Sequence, residues 1–156
     1  MTKPTPDAAT LRERTLGLLA RREHSRAELT RKLETARFAR EDIALLLDEF
    51  ETKNWLSDQR FAESYVADHR ARAGSIKLAY DLRQRGVADS VIESVLRDNR
   101  DSEFERAREV WKKKFGVPPA DAAEKARQFR FMQSRGFSSE VIRQTISNPH
   151  ISVSDA

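Results

Sequence analysis

The sequence has no cysteine and only three histidines among its 156 residues. Without cysteine the chain cannot form disulfides, iron–sulfur clusters, thiolate zinc sites or a cysteine nucleophile. His24, His69 and His150 are far apart along the sequence. They do not form a local metal-binding or general-base cluster, and we expect them at exposed or helix-capping positions. These absences predict no metal ligand, no cofactor and no catalytic residue.

Glycine and proline are scarce, with five of each. No two glycines lie close enough to build a phosphate-cradling loop, which argues against nucleotide-dependent catalysis. Since no cluster of acid, base and nucleophile is present either, we do not expect an enzyme. An all-β chain would need many more turn residues, whereas strong helix formers such as Ala, Leu, Glu and Arg dominate here. The composition therefore predicts an all-α protein.

Long apolar runs are also absent. No stretch approaches the roughly 18 residues that a membrane span needs. The first residues, MTKPTPDAAT, lack the basic flank and the apolar stretch of a signal peptide. We expect a cytoplasmic protein with no membrane partner.

Charge of one sign is in small excess, because 29 basic residues face 25 acidic ones and the net charge is +4. The excess is spread along the chain, so a basic surface has to arise from three-dimensional arrangement. Arginine outnumbers lysine by 21 to 8. Its planar guanidinium favours phosphate or carboxylate partners.

The spacing of apolar residues predicts nine helices. Ser25 and Glu28 form a capping box at the start of the second helix, and Asp58 is the expected N-cap of the fourth. Gly74 is expected to end the fourth helix and Gly86 the fifth. The helices are expected at 10–22, from 25 through Leu33, from 40 through Phe50, and at 58–72, 75–84, 88–99, 102–115, 121–134 and 138–147.

An apolar pattern recurs about every 50 residues. Its landmarks Phe38, Val87 and Phe137 are 49 and 50 residues apart, and each has an apolar residue five positions before it, five after it and nine after it. Arg-Gly precedes the landmark at 85–86 and 135–136, but the first copy has Ala-Arg at 36–37. The pattern predicts three copies of a three-helix module, with chance similarity of amphipathic helices as the alternative.

Three modules of this size, each marginal alone, are expected to stack into an elongated, curved solenoid. The expected division is 10–57, 58–101 and 102–147, with disordered tails at 1–9 and 148–156. Trp55 follows a predicted helix and is expected to seal two modules together. The residues expected in the core are Leu33, Ile43, Leu47, Trp55, Phe61, Tyr65, Leu82, Ile92, Leu96, Trp111 and Ile142.

Two ordered motifs accompany the repeat. The first is LLARREHSRAEL at 18–29, and the second is WLSDQRFAESY at 55–65, followed by Gly74 and by RGV at 85–87. With the RGF turn at 135–137, they resemble the RecX family over residues 10–147. The departures from the family pattern are Leu78 for Ile, Asp81 for Glu, Arg85 for Lys and Arg37 where the first repeat would carry Gly.

The resemblance implies a bacterial negative regulator of the RecA recombinase, with a place in DNA repair, homologous recombination and the SOS response. Such a protein binds the RecA filament on single-stranded DNA, in its groove or at its growing end. It inhibits the ATPase, strand-exchange and co-protease activities of RecA. We expect a monomer, and direct contact with single- or double-stranded DNA is left open.

Three kinds of basic residue are the candidates for contact with RecA or DNA: those near predicted helix ends, the lysine run at 112–114 and the arginines beside Phe129 and Phe131. Favourable interaction with helix dipoles is an alternative role for those at helix ends, and a solvated helix face is the alternative for the lysine run. Phe129 and Phe131 alternate with arginines, as in single-strand binding surfaces, although their helical spacing favours the core. The candidates are Arg21, Arg22, Arg26, Arg70, Arg72, Lys77, Arg83, Arg85, Lys112, Lys113, Lys114, Arg127, Arg130 and Arg135.

A free-standing DNA-binding helical-repeat protein that acts without RecA is the alternative function, because three-helix units resemble helix-turn-helix folds. The dependence of binding on salt concentration distinguishes the two functions. DNA binding alone weakens steeply as salt rises, whereas filament binding requires RecA. The small net charge argues against DNA affinity as the whole function.

Overall fold

A computed structural model describes residues 7–147, and this part of the chain is all-helical. Nine α-helices and one 3-10 helix follow one another within it, and no strand is present there. The predicted all-α class is confirmed. None of these helices is long and apolar enough to cross a membrane. The elements are α1 (Ala8–Arg21), α2 (Arg26–Thr35), α3 (Arg40–Thr52), α4 (Asp58–His69), α5 (Ser75–Gln84), α6 (Asp89–Arg97), the 3-10 helix (Arg100–Ser102), α7 (Glu103–Lys114), α8 (Ala122–Ser134) and α9 (Ser139–Ser147).

Helix ends differ from the predicted ones by up to three residues. α1 already begins at Ala8, since the Asp7 carboxylate caps it by accepting a hydrogen bond from the Thr10 amide at 2.8 Å. Residues 7–9 are therefore not part of a disordered tail. α4 ends at His69 rather than at 72, and Gly74 is the N-cap of α5. The rest of the predicted tails, 1–6 and 148–156 with His150, lies outside the described residues.

Each group of three helices encloses its own apolar core. The three cores belong to α1–α3, α4–α6 and α7–α9. All twelve positions of the repeat pattern are buried, none more than 6% exposed, so the three tandem three-helix repeats of the solenoid are present. The buried members of the predicted core are Leu33, Ile43, Leu47, Phe61, Tyr65, Leu82, Ile92, Leu96, Trp111 and Ile142.

Trp55 was expected in the core between two repeats, and this prediction is wrong. Its side chain is 45% exposed and stays within the first repeat. The ring meets Phe50 edge-on, with centroids 5.3 Å apart, and the Lys53 ammonium lies 4.7 Å from its centre. The preceding residue Asn54 has a left-handed φ of 62°, and this turn leaves the ring at the surface of its own repeat.

The first inter-repeat interface joins α2 to the turn between α5 and α6. The Ser25 hydroxyl donates a hydrogen bond to the Arg85 carbonyl at 2.7 Å. Gly86 lies so close to Ala27 that a Cβ on Gly86 would collide with the Cβ of Ala27.

The second inter-repeat interface repeats this arrangement one module later, between α5 and the turn that joins α8 to α9. The Gly74 amide donates to the Arg135 carbonyl at 2.8 Å, and the Ile76 amide donates to the Gly136 carbonyl at 3.1 Å. A Cβ on Gly136 would lie 2.8 Å from the Lys77 Cα, closer than side chains approach backbone. The two Arg-Gly turns found in the sequence are therefore contact points between successive repeats.

An acidic residue at the start of a repeat caps a helix of the preceding repeat. Asp58 accepts a hydrogen bond from the Arg26 amide at 2.8 Å, and Glu103 accepts one from the Ser75 amide at 2.9 Å. The prediction that Asp58 is the N-cap of its own helix is wrong, because Ser57 occupies that position. Each carboxylate satisfies an amide that a helix N-terminus leaves without an intrahelical partner.

Arg106 of α7 also holds the second interface together and is only 9% exposed. Its Nη1 donates to the carbonyls of Arg70 and Ala73 at 2.7 and 2.9 Å, and its Nη2 donates to the Asn99 carbonyl at 3.0 Å. Its Nε donates to the Ser102 hydroxyl at 3.2 Å. Burial lowers the pKa of this guanidinium. One side chain of the third repeat thus satisfies three carbonyls of the second repeat.

The turn before each landmark has a left-handed backbone, with φ of 72° at Arg37, 79° at Gly86 and 85° at Gly136. A side chain strains this conformation, and glycine does not. Gly86 and Gly136 also face the preceding repeat, whereas Arg37 is exposed and meets no other repeat within residues 7–147. The first copy therefore departs from Arg-Gly where no inter-repeat contact requires glycine.

We expect Arg37→Gly to raise the free energy of unfolding by up to about 1 kcal/mol, because it relieves left-handed strain and removes no described contact. Gly86→Ala at the equivalent turn serves as the opposite case and is expected to destabilise through its collision with Ala27. Urea unfolding followed by circular dichroism measures both. A loss of more than about 1 kcal/mol in Arg37→Gly would show that the arginine side chain contributes to stability.

His24 is 2% exposed, so the prediction of an exposed position is wrong for this residue. Its Nε2 lies 2.9 Å from the Lys32 ammonium and its Nδ1 lies 3.1 Å from the Arg22 carbonyl. Because an ammonium only donates, Nε2 accepts, Nδ1 carries the proton, and the imidazole is neutral. Burial lowers the pKa of His24 below its ordinary value of 6.5.

We expect the parent chain to lose stability as pH falls from 6.5 toward 5, because the unfolded histidine takes up a proton there that folded His24 resists. At pH values above the pKa that His24 has in the unfolded chain, the neutral imidazole contributes fully to stability. Urea unfolding across this range, compared with His24→Gln, isolates the effect, because parent and variant share every other titratable group. Equal pH dependence in parent and variant would contradict the assignment to His24.

Candidate functional site: a basic pocket at the second inter-repeat interface

Ion pairs with carboxylates divide the fourteen basic candidates into two groups. Six are neutralised by a nearby carboxylate, and Glu124, for example, raises the pKa of Arg127 above its ordinary value. The pairs are Arg22 with Glu28 at 2.7 Å, Arg26 with Asp48 and Glu51 at 2.7 Å each, Lys77 with Asp81 at 3.1 Å, Arg83 with Asp89 at 2.9 Å, Lys112 with Glu109 at 3.8 Å and Arg127 with Glu124 at 2.9 Å.

The other eight candidates form no ion pair within residues 7–147. Some of them have polar or aromatic partners instead: Arg70, for example, donates to the Ser102 hydroxyl at 2.9 Å, and Arg85 lies 4.6 Å from the centre of the Tyr65 ring. The group consists of Arg21, Arg70, Arg72, Arg85, Lys113, Lys114, Arg130 and Arg135. Half of this group meets in one place, and the structure does not bring the other four there.

That place is a pocket of about 230 Å³, here called the interface pocket. Ala71 and Arg72 come from the segment after α4, in the second repeat, and the other residues come from the third repeat. Its walls are Ala71, Arg72, Val110, Lys113, Lys114, Phe131 and Arg135. Four cations therefore line a small cavity whose walls include no carboxylate.

The ends of three helices place these cations. Lys113 and Lys114 are in the last turn of α7, Arg135 is the C-cap of α8, and Arg72 follows the end of α4. Helix C-termini carry partial negative charge, which favours cations and lets these four lie near one another. Of the lysine run, Lys112 turns to Glu109, and the other two reach the pocket.

One aromatic ring, that of Phe131, contacts two of the four cations. The Lys114 ammonium and the Arg135 guanidinium each lie 5.2 Å from the centre of the Phe131 ring. Phe131 in turn meets Phe115 edge-on, with centroids 5.4 Å apart. Phe129 and Phe131 are half-buried against the third core, so Phe131 serves both the core and the pocket wall. Cation–π contacts of this kind orient flexible basic side chains.

The neighbouring cavities differ from the interface pocket in their charge. One of them, about 590 Å³ between α5 and α6, includes Asp89 and Glu93 together with two arginines. Another, at the first inter-repeat interface, includes Glu23, Glu28 and Asp68 together with two arginines. Carboxylates offset the cations in both cavities, so an anionic ligand would be attracted more strongly to the interface pocket than to either of them.

Sequence reasoning missed the residues that build this region. Arg106, Glu103 and Asp58 were not among the candidates, although they form the inter-repeat contacts. The positions of Asp58 and Glu103 could have indicated their role, since each is the first residue of the first α-helix in its repeat. Arg106 has no such signal, because its partners lie 7 to 36 positions away along the chain, apart from nearby Ser102.

The fold and the pocket define an all-α helical-repeat protein with a cationic pocket between two repeats. Family models for the RecX second and third three-helix domains match residues 57–96 and 101–146. The Regulatory protein RecX of Ralstonia nicotianae is 46% identical over 87% of this chain and 86% of its own length, and that of Chromobacterium violaceum is 43% identical over 90% and 91%. The chain belongs to the RecX family.

Solved structures show the same fold. The crystal structure of RecX from Lactobacillus salivarius superposes with a TM-score of 0.80 over 91% of this chain and 96% of that one, at 19% identity. A second crystal structure of regulatory protein RecX gives a TM-score of 0.76 over 88% and 71%. The arrangement of the repeats therefore persists where most side chains differ.

Proposed function

We propose that this chain is a non-catalytic negative regulator of the RecA recombinase. It binds the RecA filament on single-stranded DNA, in the groove or at the growing end, and inhibits ATP hydrolysis, strand exchange and co-protease activity. RecA supplies the ATP chemistry, and this chain supplies a binding surface. The observation that carries the proposal is membership of the RecX family over most of the chain's length.

The architecture supports the proposal. A solenoid of three repeats offers an extended surface, which suits a repetitive partner such as a filament. Six of the basic candidates are neutralised by carboxylates, so much of the surface is of mixed charge and suited to protein contact. Four of the eight unpaired cations gather at the second inter-repeat interface, where a filament can present nucleic acid.

The test is RecA-catalysed ATP hydrolysis on single-stranded DNA as this chain is titrated in. We expect hydrolysis to fall at substoichiometric amounts of the chain relative to RecA. A parallel titration of DNA without RecA at the same salt measures free-DNA binding. Added single-stranded DNA in excess separates the mechanisms further, because it relieves inhibition by sequestered DNA but not inhibition of assembled filaments.

Unchanged hydrolysis, or loss only when the chain saturates the DNA, would refute filament regulation. That result would favour the alternative, a DNA-binding repeat protein that acts without RecA. The interface pocket is the observation that keeps this alternative in view. Strand-exchange and repressor-cleavage assays with RecA then check the other two inhibited activities.

A further inference from the structure

The interface pocket gathers four cations that no described carboxylate neutralises: Arg72, Lys113, Lys114 and Arg135. Elsewhere the chain pairs its cations readily, as the 2.7 Å contacts of Arg22 and Arg26 with acidic residues show. Like charges that share a cavity repel one another, and the helix ends behind them offset only part of this repulsion. An external anion in the pocket would supply the missing countercharge.

The chemistry of the walls favours phosphate over other anions. Guanidinium groups present planar donor pairs that match phosphate oxygens, and the lysine ammonium groups add point charges. The cavity, at about 230 Å³, is smaller than the roughly 300 to 1,000 Å³ of sites that enclose a whole small molecule. It therefore suits one phosphate group of a longer chain.

The aromatic wall indicates which phosphate chain fits. Phe131 is half-buried and lines the pocket between Lys114 and Arg135. Single-stranded nucleic acids present unpaired bases and sugars to such rings beside a cationic groove, whereas a duplex stacks its bases inside. An acidic peptide would use the cations but would not need an aromatic ring beside them.

We propose that the interface pocket binds a backbone phosphate of single-stranded nucleic acid, and that it does so without RecA. The proposal goes beyond filament regulation, because the pocket residues alone carry it. Arg72 contributes from the second repeat, while Lys113 and Arg135 contribute from the third. A bound phosphate therefore also ties the two repeats together at the second inter-repeat interface.

The first experiment measures binding of a dye-labelled oligothymidylate by anisotropy, without RecA, over a range of salt. The test variant combines Lys113→Gln and Arg135→Gln. The matched control is Arg127→Gln, which removes a cation of α8 that pairs with Glu124 at 2.9 Å and lies outside the pocket. Thermal melts show that each variant folds, as expected for exposed side chains.

Each lost contact with a single strand lowers the log–log salt slope by about 0.7, so the two substitutions together lower it by about 1.4. Over the decade of salt below about 1 M this change amounts to roughly 25-fold weaker binding of the double variant at 0.1 M salt. The control should bind within about twofold of the parent. If the double variant has the same affinity and the same salt slope as the Arg127→Gln control, the proposal would be overturned.

Competitors identify the ligand chemistry. Tripolyphosphate should displace the oligonucleotide from the parent, and polyglutamate of similar charge should displace it poorly. Equal competition by polyglutamate would overturn the phosphate assignment in favour of an acidic protein segment. If the double variant loses as much affinity for a DNA duplex as for the oligothymidylate, the assignment to single strands would be overturned.

The RecA assay with the same variants keeps this proposal separate from filament regulation. If the double variant loses oligonucleotide binding but inhibits RecA as the parent does, the pocket assignment stands and filament regulation uses another surface. If the double variant retains oligonucleotide binding, the pocket assignment fails whatever the hydrolysis assay shows.

Discussion

Gly136→Ala is expected to lower the free energy of unfolding by roughly 2 to 5 kcal/mol. About 1 to 2 kcal/mol comes from forcing a side chain into the left-handed backbone, here at φ 85°, and about 1 to 3 from overpacking. The new Cβ would lie 2.5 Å from the Lys77 nitrogen and 2.8 Å from its Cα, so α5 has to shift. Urea unfolding followed by circular dichroism measures the loss.

Gly17→Ala is the matched control for that substitution. Gly17 lies inside α1, and nothing stands within 4 Å of the Cβ that alanine would add there. Alanine in a helix interior is favoured over glycine by roughly 0.5 to 1 kcal/mol, so this variant should be more stable than the parent. A Gly136→Ala variant that melts with the parent would disprove the tight contact between the second and third repeats.

Arg106→Ala is expected to cost roughly 3 to 5 kcal/mol of stability. The substitution leaves the carbonyls of Arg70, Ala73 and Asn99 without the guanidinium that serves all three, at distances of 2.7 to 3.0 Å. These groups lie at the second inter-repeat interface and cannot all regain a protein partner. The hydrogen bonds to Ala73 and Asn99 are buried, so their loss carries the full desolvation cost of the carbonyls.

Two further variants sharpen the Arg106 measurement. Arg130→Ala removes an exposed arginine that forms no ion pair in the described part of the chain, and its effect should stay within about 0.5 kcal/mol. Arg106→Lys keeps the charge but cannot span three carbonyls, so its stability should fall between those of the parent and Arg106→Ala. Equal melting of Arg106→Ala and Arg130→Ala would count against the bridging role of Arg106.

Much of the fold was predictable, because each repeat is built from local and periodic signals. The capping box at Ser25 and Glu28 forms as its sequence indicates, and Gly86 takes the left-handed backbone expected at a helix end. The twelve apolar positions of the repeat pattern are buried because helical spacing puts them on the inner faces. Such signals require no knowledge of distant contacts.

The basic character of the candidate site was predictable from the sequence, but which basic residues form it was not. The sequence singled out Lys113, Lys114, Arg135 and Arg72 equally with ten others. Six of those ten pair with carboxylates, and the remaining four lie outside the pocket. Three of the six ion pairs are local pairs within one helix, but the meeting of the four pocket cations depends on packing between elements. Arg26, for example, pairs with residues 22 and 25 positions away along the chain. Spacing in one sequence does not report such pairings.

The exposed and buried tryptophans give this chain two optical reporters at opposite ends of the described solenoid. Trp55 is 45% exposed in the first repeat, while Trp111 is 1% exposed in the third and donates its indole N–H to Gln128 at 2.8 Å. Their emission should differ in wavelength and in quenching by a soluble agent such as iodide. Phe substitutions at either position leave one reporter, so the melting of the first and third repeats can be followed separately, and stepwise loss of the array becomes directly visible.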